Sequence, residues 1–235
     1  MKKIISLLLS FSLLFSIAAC SRQEPMTELE SIQKQLAEME GYTCTATLTR
    51  TNDRGEQTYE TKQYYKSTGE YRLELLGPEN AAGNYTVFDG ERICQYNPKL
   101  DSSIIKDIPA SQHRNELFLG QFIANYMQSE GVSVETAALD ESRCIVLEAV
   151  IPGQDSGLST EKLWVDRESL LPVRFVIYDT AEKERYRMDF SSFEYNPRFD
   201  DALFTIEGQS AADLVFNIEL PQIAAPNRAL NFRNR

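Results

Sequence analysis

The sequence predicts a mainly β protein of the α+β class, built as a single strongly curved antiparallel sheet wrapped on two helices. Ten or eleven short segments alternate between apolar and polar residues, two segments have helical spacing, and short turns join neighbouring strands. Strands and helices do not alternate regularly, which excludes a doubly wound parallel sheet. Open sheets of this size tend to curl, so we expect a half-barrel whose concave face is filled by the helices.

The first expected helix lies between Thr27 and Gly41. Thr27 and Glu30 have the spacing of a capping box, in which each side chain bonds to the backbone N–H of the other residue. The apolar residues that follow recur at helical intervals: Leu29, Ile32, Leu36 and Met39. Gly41 supplies a stop signal, so this segment is expected to form one amphipathic helix.

The strands follow from period-two alternation and from turn residues. Threonines at alternate positions from 43 to 51 mark the first strand, and Asp89-Gly90 is a strong hairpin signal between two short strands. A second helix is expected over 115–128, and it has so few polar positions that it must be largely enclosed. The expected strands are 42–51, 57–66, 70–76, 85–88, 92–96, 103–108, 132–138, 143–151, 161–166, 173–178 and 184–193.

The chain opens with a secretion signal that ends at a cysteine. Lys2 and Lys3 precede an uncharged apolar run over 4–19, which is shorter than the roughly 20 residues of a membrane-spanning helix. Ile17-Ala18-Ala19-Cys20 resembles the lipobox of bacterial lipoproteins, and this resemblance implies cleavage before Cys20 and acylation of its sulfur. Two or three acyl chains give stable anchoring where one chain does not. The alternative is an ordinary signal peptide with a chance cysteine.

The expected organisation is a signal peptide at 1–19, a linker at 20–26, one β domain at 27–210 and a C-terminal tail at 211–235. Cleavage would remove two lysines and move the formal net charge from −11 to −13. Anionic lipid and nucleic acid repel so acidic a body. Membrane contact is therefore expected through the lipid on Cys20, and no nucleic acid is expected as a partner.

The sequence carries no recognisable motif of catalysis or cofactor binding. His113 is the only histidine, with no histidine or cysteine at ligand spacing from it, so we expect a solvated loop residue and no zinc site. The acidic pairs at 140–141 and 200–201 fall in expected turns and are interpreted as solubilising surface. Neither a phosphate-binding glycine loop nor a nucleophile elbow is present. We expect the chain to be no enzyme and to hold no cofactor.

Three further cysteines, Cys44, Cys94 and Cys144, lie in expected strands. An odd number of thiols outside the cytoplasm leaves one thiol over if two pair, or allows a bridge between two chains. Buried free cysteine also behaves as a small apolar residue. Three buried thiols and a disulfide-linked homodimer therefore both stay open.

Two stretches, 71–104 and 161–204, resemble signature stretches of the superfamily of the LolA and LolB lipoprotein carriers. The first has an arginine strand, a proline loop, a strand that ends in Asp-Gly, and a Tyr-Asn segment. The second has a tryptophan strand, a Leu-Pro step and a closing phenylalanine segment. The residues concerned are Arg72, Pro78, Asp89, Gly90, Tyr96, Asn97, Leu163, Trp164, Val165, Asp166, Leu171, Pro172, Phe193, Asn196, Asp200, Leu203 and Phe204. The resemblance covers roughly 30–206 and implies an eleven-stranded half-barrel.

A lipobox, a short N-terminal helix and this sheet together are similar to small lipidated members of that superfamily in spore-forming Gram-positive bacteria, typified by the germination lipoprotein GerS. That resemblance implies a lipid-anchored protein on the extracytoplasmic face of the cell membrane. It would act in sporulation or germination by binding and activating a cortex-modifying N-acetylmuramoyl-L-alanine amidase of the CwlD type. It implies no interface residues. The alternative is a carrier or binder of lipid or lipoprotein acyl chains in a concave apolar cavity.

Overall fold

The computed structural model describes residues 25–109, 113–129, 134–139, 142–153 and 157–207. The expected signal peptide, Cys20 with most of its linker, the last residues (208–210) of the expected β domain and the expected tail at 211–235 lie outside the described residues. Within the described segments, no helix is both long and apolar enough to cross a membrane.

One antiparallel sheet of eleven strands forms the body of the described chain, which confirms the predicted fold class. Its strands are β1 (Gly41–Asn52), β2 (Gly55–Lys66), β3 (Tyr71–Gly77), β4 (Tyr85–Phe88), β5 (Arg92–Asn97), β6 (Ser102–Asp107), β7 (Val134–Leu139), β8 (Ser142–Val150), β9 (Leu158–Asp166), β10 (Pro172–Asp179) and β11 (Glu184–Tyr195). The bounds of every strand agree with those expected from the sequence to within a few residues at each end.

The sheet consists of two meanders that meet at its centre. In space the strands run β6-β5-β4-β3-β2-β1-β11-β10-β9-β8-β7, so the first and last strands in the chain are neighbours. β1 and β11 pair antiparallel from Tyr42 opposite Tyr195 to Arg50 opposite Tyr186. The ends of the described sheet are β6 and β7, and all other strands are hydrogen-bonded on both sides.

The first helix, α1 (Glu28–Ala37), begins with the predicted capping box. The Glu30 backbone N–H donates to Thr27 Oγ1 at 3.2 Å, and the Thr27 N–H donates to Glu30 Oε2 at 2.7 Å. Ile32 and Leu36, one turn apart, are buried against the sheet. The predicted amphipathic helix is therefore confirmed, but it ends at Ala37 with Glu38 as its C-cap, so Met39 lies beyond it and Gly41 begins β1.

The second helix, α2 (Leu119–Gln128), begins four residues later than the sequence pattern indicated. Asn115 Oδ1 accepts a hydrogen bond from the Leu117 N–H at 3.2 Å, which folds 115–117 into a turn. Phe118 then caps the helix in an extended conformation, without a side-chain cap. Leu117 and Phe118 are buried because they point into the core from this turn, although their spacing resembles that of helical residues.

We call the face of the sheet that the helices cover the inner face, and the opposite face the outer face. The main hydrophobic core lies between the helices and the inner face. Its largest fully buried side chains are Tyr42, Phe118, Phe122, Phe175, Ile32, Leu48, Leu117, Leu119, Leu147, Leu163 and Ile177. The helices therefore close one side of the sheet, as the fold class requires.

Candidate functional site

Helix α2 crosses the inner face from β2 to β8 and covers its centre. Its buried residues Leu119, Phe122 and Asn125 all face the sheet. The ring of Phe122 packs edge-on against Phe175 of β10, with 5.6 Å between the ring centroids. Side chains of the protein itself therefore occupy the centre of the inner face.

The N-terminal end of α2 is fixed to the sheet through Tyr42 of β1. The backbone N–H of Leu119 donates to Tyr42 Oη at 3.2 Å, and this hydroxyl donates to Gln63 Oε1 at 2.9 Å. Tyr42 is fully buried, so each of these polar groups needs its partner. The Tyr42 hydroxyl thus supplies an acceptor for a helix-terminal N–H that has no partner within the helix.

A close approach next to this point requires glycine at position 120. A Cβ atom placed on Gly120 would lie 1.9 Å from Tyr65 Oη. Tyr65 in turn stacks on Phe118 and on Tyr42, with centroid distances of 5.9 and 5.5 Å. The helix therefore lies directly against the end of a tyrosine side chain, which sets its distance from β2.

The C-terminal half of α2 lies over a buried polar network. Asn125 Nδ2 donates to Glu161 Oε1 on β9 at 2.7 Å and to Glu116 Oε2 at 3.3 Å. Arg114 donates through Nε to Glu116 Oε1 at 2.9 Å and through Nη2 to Asn125 Oδ1 at 3.0 Å. Two carboxyl groups therefore share one amide beneath the helix, and one of them, Glu116, also pairs with the guanidinium of Arg114, whose side chain is 43% exposed.

Glu161 is the most enclosed member of this network, with none of its surface exposed. Burial raises the pKa of Glu161 to about 8; the hydrogen bond from Asn125 opposes this rise, the nearby Glu116 carboxyl adds to it, and Arg114 opposes it. Glu161 Oε2 is buried without a hydrogen-bond partner. At neutral pH Glu161 is therefore mostly in its neutral, protonated form.

His113 does not lie in solvent, and that part of the sequence prediction was wrong. Its ring stacks against Phe88 and Tyr71, with centroid distances of 4.1 and 5.5 Å, and its Nε2 shares a 2.9 Å hydrogen bond with Tyr71 Oη. Burial lowers the pKa of His113. The residue is half-buried because the segment before α2 folds inward onto β3 and β4.

The three cysteines in the described strands are all free and buried. Burial raises the pKa of the thiols of Cys44, Cys94 and Cys144, which disfavours the reactive thiolate. This arrangement agrees with three buried thiols. An interchain disulfide would need one of these sulfurs to become accessible first.

The outer face is covered in part by residues 197–207, which we call the C-terminal strap. Ile206 packs on Val87, Cys94 and Ile105 to form a small apolar cluster. The carbonyl of Ile206 accepts a 3.0 Å hydrogen bond from Arg92 Nη2. The strap therefore reaches from the end of β11 across to β5 and β6.

A polar groove of about 410 Å³ lies along the strap. Its lining includes the Lys66–Asp201 ion pair, in which Nζ and Oδ1 are 3.0 Å apart, and Lys66 also lies over the Phe204 ring. The other charged side chains that line it are Glu70, Asp89, Glu91 and Arg92. The groove has mixed charge and no deep apolar wall, so it does not resemble an acyl-chain site.

The signature residues identified in the sequence have structural roles at turns, caps and strand pairs. Asp166 Oδ1 accepts from the Ser169 N–H at 2.8 Å, and Asn196 Oδ1 accepts from the Glu40 N–H at 2.8 Å. Asp200 caps the 3₁₀ helix Asp201–Phe204. The described residues hold no group of three or more histidine, cysteine or acidic side chains that could bind a metal ion.

Solved structures with a similar fold include a chain of an amidase–lipoprotein complex and a LolA superfamily protein. One is a chain of the structure of the CwlD amidase from Clostridioides difficile in complex with the GerS lipoprotein; it is 27% identical, with 75% of this chain and 99% of that chain covered and a TM-score of 0.44. The other is a LolA superfamily protein from Nitrosomonas europaea, 15% identical, with 77% and 99% covered and a TM-score of 0.40.

Similarity at the level of sequence points to sporulation. Over 203 residues the chain is 20% identical to the sporulation protein YdcC of Bacillus subtilis (strain 168). The match takes in 86% of this chain and 60% of that relative's length, so the relative extends well beyond the matched part. A family model described as sporulation protein YdcC-like matches residues 1–204. The chain belongs to the family of YdcC-like sporulation proteins.

Proposed function

We propose that this chain is a membrane-anchored, extracytoplasmic lipoprotein that regulates cortex modification by binding and activating a cell-wall amidase of the CwlD type. Membership of the sporulation family across residues 1–204 is the observation that carries the setting. The lipobox resemblance at Cys20 supports the anchor. The motif resemblance to germination lipoproteins of the GerS type supports the choice of an amidase as partner.

The position of the first helix supports an orientation on the membrane. Glu28, at the start of α1, forms an ion pair with Arg167 in the turn between β9 and β10. Met26 is the sixth residue after Cys20, and six extended residues span at most about 20 Å. This end of the sheet would then lie near the bilayer, and the opposite end, with the β1–β2 and β10–β11 turns, would point toward the cell wall.

The packing of the inner face supports a protein-binding role over a carrier role. A carrier of acyl chains needs an apolar space that the cargo can fill. Here Phe122, Phe175 and Leu163, each with none of its surface exposed, fill the centre of that face. Binding of an acyl chain would require α2 to move away, whereas a protein partner can bind the existing outer surfaces.

The anchor is tested by fractionation of cells that carry the natural chain or Cys20→Ala. We expect the natural chain in the membrane fraction, released only by detergent, and labelled by a radioactive fatty acid supplied in the medium. The Cys20→Ala variant should lose both the label and the membrane association. An unlabelled natural chain in the aqueous fraction would contradict the proposed anchor.

The regulatory role is tested with the full mature lipoprotein in detergent and the purified cortex amidase of the same organism. We expect the two proteins to co-elute in size-exclusion chromatography and the amidase to release peptides from peptidoglycan at least about tenfold faster with the lipoprotein than without it. Native mass spectrometry of the same sample tests the carrier alternative. A bound lipid together with unchanged amidase activity would favour the carrier role and contradict the regulatory one.

A further inference from the structure

The network beneath α2 is short of one positive charge. Glu161 and Glu116 both accept hydrogen bonds from Asn125 Nδ2, and both are at least 97% removed from solvent. Arg114 is the charged partner that the network contains, and its guanidinium already lies 2.9 Å from Glu116 Oε1. If both carboxyl groups were ionised, the pair would carry an uncompensated negative charge in a buried site, which is costly.

Among the residues that the structure describes, no other positively charged side chain lies next to Glu161. It faces inward on β9 with Leu163 and Val165, and its strand neighbours are Ala149 on β8 and Ile177 on β10. The fully buried side chains of α2 are Leu119, Phe122 and Asn125, none of which titrates. Its partly buried Tyr126 packs on the same core and accepts a hydrogen bond from Gln33 at 2.8 Å. Lys162 is next in sequence, but it points to the outer face, where it pairs with Glu148 at 3.1 Å.

The carboxyl group of Glu161 lies at the contact between helix and sheet. Its only hydrogen bond from a side chain of α2 is the 2.7 Å bond from Asn125, whereas its Oε2 is buried and unpartnered. An ionised carboxylate would need several donors there, and water can supply them only if α2 leaves the sheet. The protonated group carries no charge, so leaving one of its oxygens unpartnered costs far less than burying an ionised carboxylate.

We infer that α2 is held on the inner face by a proton-linked latch, in which the neutral Glu161 carboxyl allows the helix to dock and ionisation of that carboxyl favours its release. Release would expose Phe122 and the inner-face residues Phe175 and Leu163. The proton concentration therefore sets how often this large apolar surface becomes accessible, a property that does not depend on which partner the chain binds.

The sign of the effect follows from linkage. The pKa of Glu161 is about 8 when the helix is docked, and it returns toward the ordinary value near 4.3 when the group is solvated. Between these two values the released state binds fewer protons than the docked state. The opening equilibrium should therefore rise about tenfold for each pH unit across this window and level off above about pH 8.

Hydrogen exchange of the backbone amides, followed by mass spectrometry on the full chain, measures this equilibrium. After correction for the intrinsic exchange rate, protection of a peptide over 119–128 should fall by about tenfold per unit from about pH 5.5 to about pH 7.5. A peptide over β1 serves as the internal reference, because release of α2 alone leaves β1 paired on both sides. Its protection should change far less.

Two variants separate the latch from other causes. Glu161→Gln keeps the shape and the hydrogen bond from Asn125 but cannot ionise, so protection of 119–128 should become independent of pH. Glu148→Gln is the matched control, since this carboxyl lies on the adjacent strand and on the outer face; it should leave the slope unchanged. A flat profile in the natural chain, an unchanged slope in Glu161→Gln, or equal loss of protection in β1 would each overturn the inference.

Discussion

The two faces of the sheet are covered in different ways, and the difference indicates which part of the molecule can change. On the inner face, helices α1 and α2 contribute to a core that contains fully buried aromatic rings and a buried polar network. On the outer face, the C-terminal strap contributes Ile206 to a cluster of four buried residues, in which it packs on Val87, Cys94 and Ile105. The helices on the inner face bury most of the apolar surface. The same region contains ionisable groups, and their charged forms are costly to bury.

The helices on the inner face should contribute more to the free energy of unfolding than the C-terminal strap does. The variant Phe122→Ala tests this difference first. Phe122 has none of its surface exposed and contacts Phe175 and Tyr126. Its loss should lower the free energy of unfolding by about 4 kcal/mol, the usual cost of removing a buried aromatic ring. Urea denaturation measures this change. Met127→Ala, in the same helix but 69% exposed, should cost no more than about 0.5 kcal/mol.

The second prediction concerns the close contact between α2 and β2. Alanine at a helical position is normally more stable than glycine by about 1 kcal/mol. Gly120→Ala should instead destabilise the chain by about 2 kcal/mol, because its Cβ would overlap with Tyr65 Oη. Urea denaturation of the double variant Gly120→Ala with Tyr65→Leu gives the control. When Tyr65 is already leucine, adding Gly120→Ala should no longer lower the free energy of unfolding. A Gly120→Ala variant that is more stable than the natural chain would contradict the contact.

A substitution in the C-terminal strap should lower the free energy of unfolding less than Phe122→Ala does. Ile206→Ala removes one side chain from the outer cluster and should cost about 2 kcal/mol, at the low end for buried aliphatic residues, because the cluster has only four members. Glu207→Ala, exposed and next in sequence, should stay within about 0.5 kcal/mol of the natural chain. If urea denaturation showed that Ile206→Ala cost as much as Phe122→Ala, the two covers would be equally important for stability.

Local sequence rules account for most of the sheet and for its turns. The threonine alternation over 43–51 predicted β1, and Asp89-Gly90 predicted the β4–β5 hairpin, because both signals depend on backbone geometry and on one buried face. The start of α2 was missed because Asn115 folds a turn in a stretch whose apolar spacing resembles a helix. A local sequence pattern cannot distinguish a helix from a turn when both bury the same residues.

The buried network was not predicted, although part of its signal is present in the sequence. Glu161 shares its strand face with Leu163 and Val165, so the alternation that predicts β9 also places this carboxyl in the core. Its partner Asn125 lies 36 residues away, and no spacing rule joins the two. His113 lies in a segment without any periodicity, so its position between Phe88 and Tyr71 follows only from tertiary packing.

The smallest expected effect is the titration of His113, and it runs opposite to that of Glu161. Burial lowers the pKa of His113, so the unfolded chain, with a pKa near 6.5, takes up the proton first. The stability that the neutral ring contributes is therefore present above about pH 6.5 and is lost as the pH falls through the lower pKa of the folded state. In the natural chain, the titration of Glu161 hides this loss. As the pH falls over the same range, Glu161 becomes fully protonated and its contribution to the free energy of unfolding rises.

Removal of the Glu161 titration should make the histidine visible. In the Glu161→Gln background, the free energy of unfolding in urea should fall from about pH 7 to about pH 5. His113→Phe added to that background keeps a ring against Phe88 and Tyr71 but cannot take up a proton, so the fall should become shallower. Equal slopes in the two variants would mean that His113 does not titrate within the fold, and the inner cover would then contain one proton-sensitive group instead of two opposed ones.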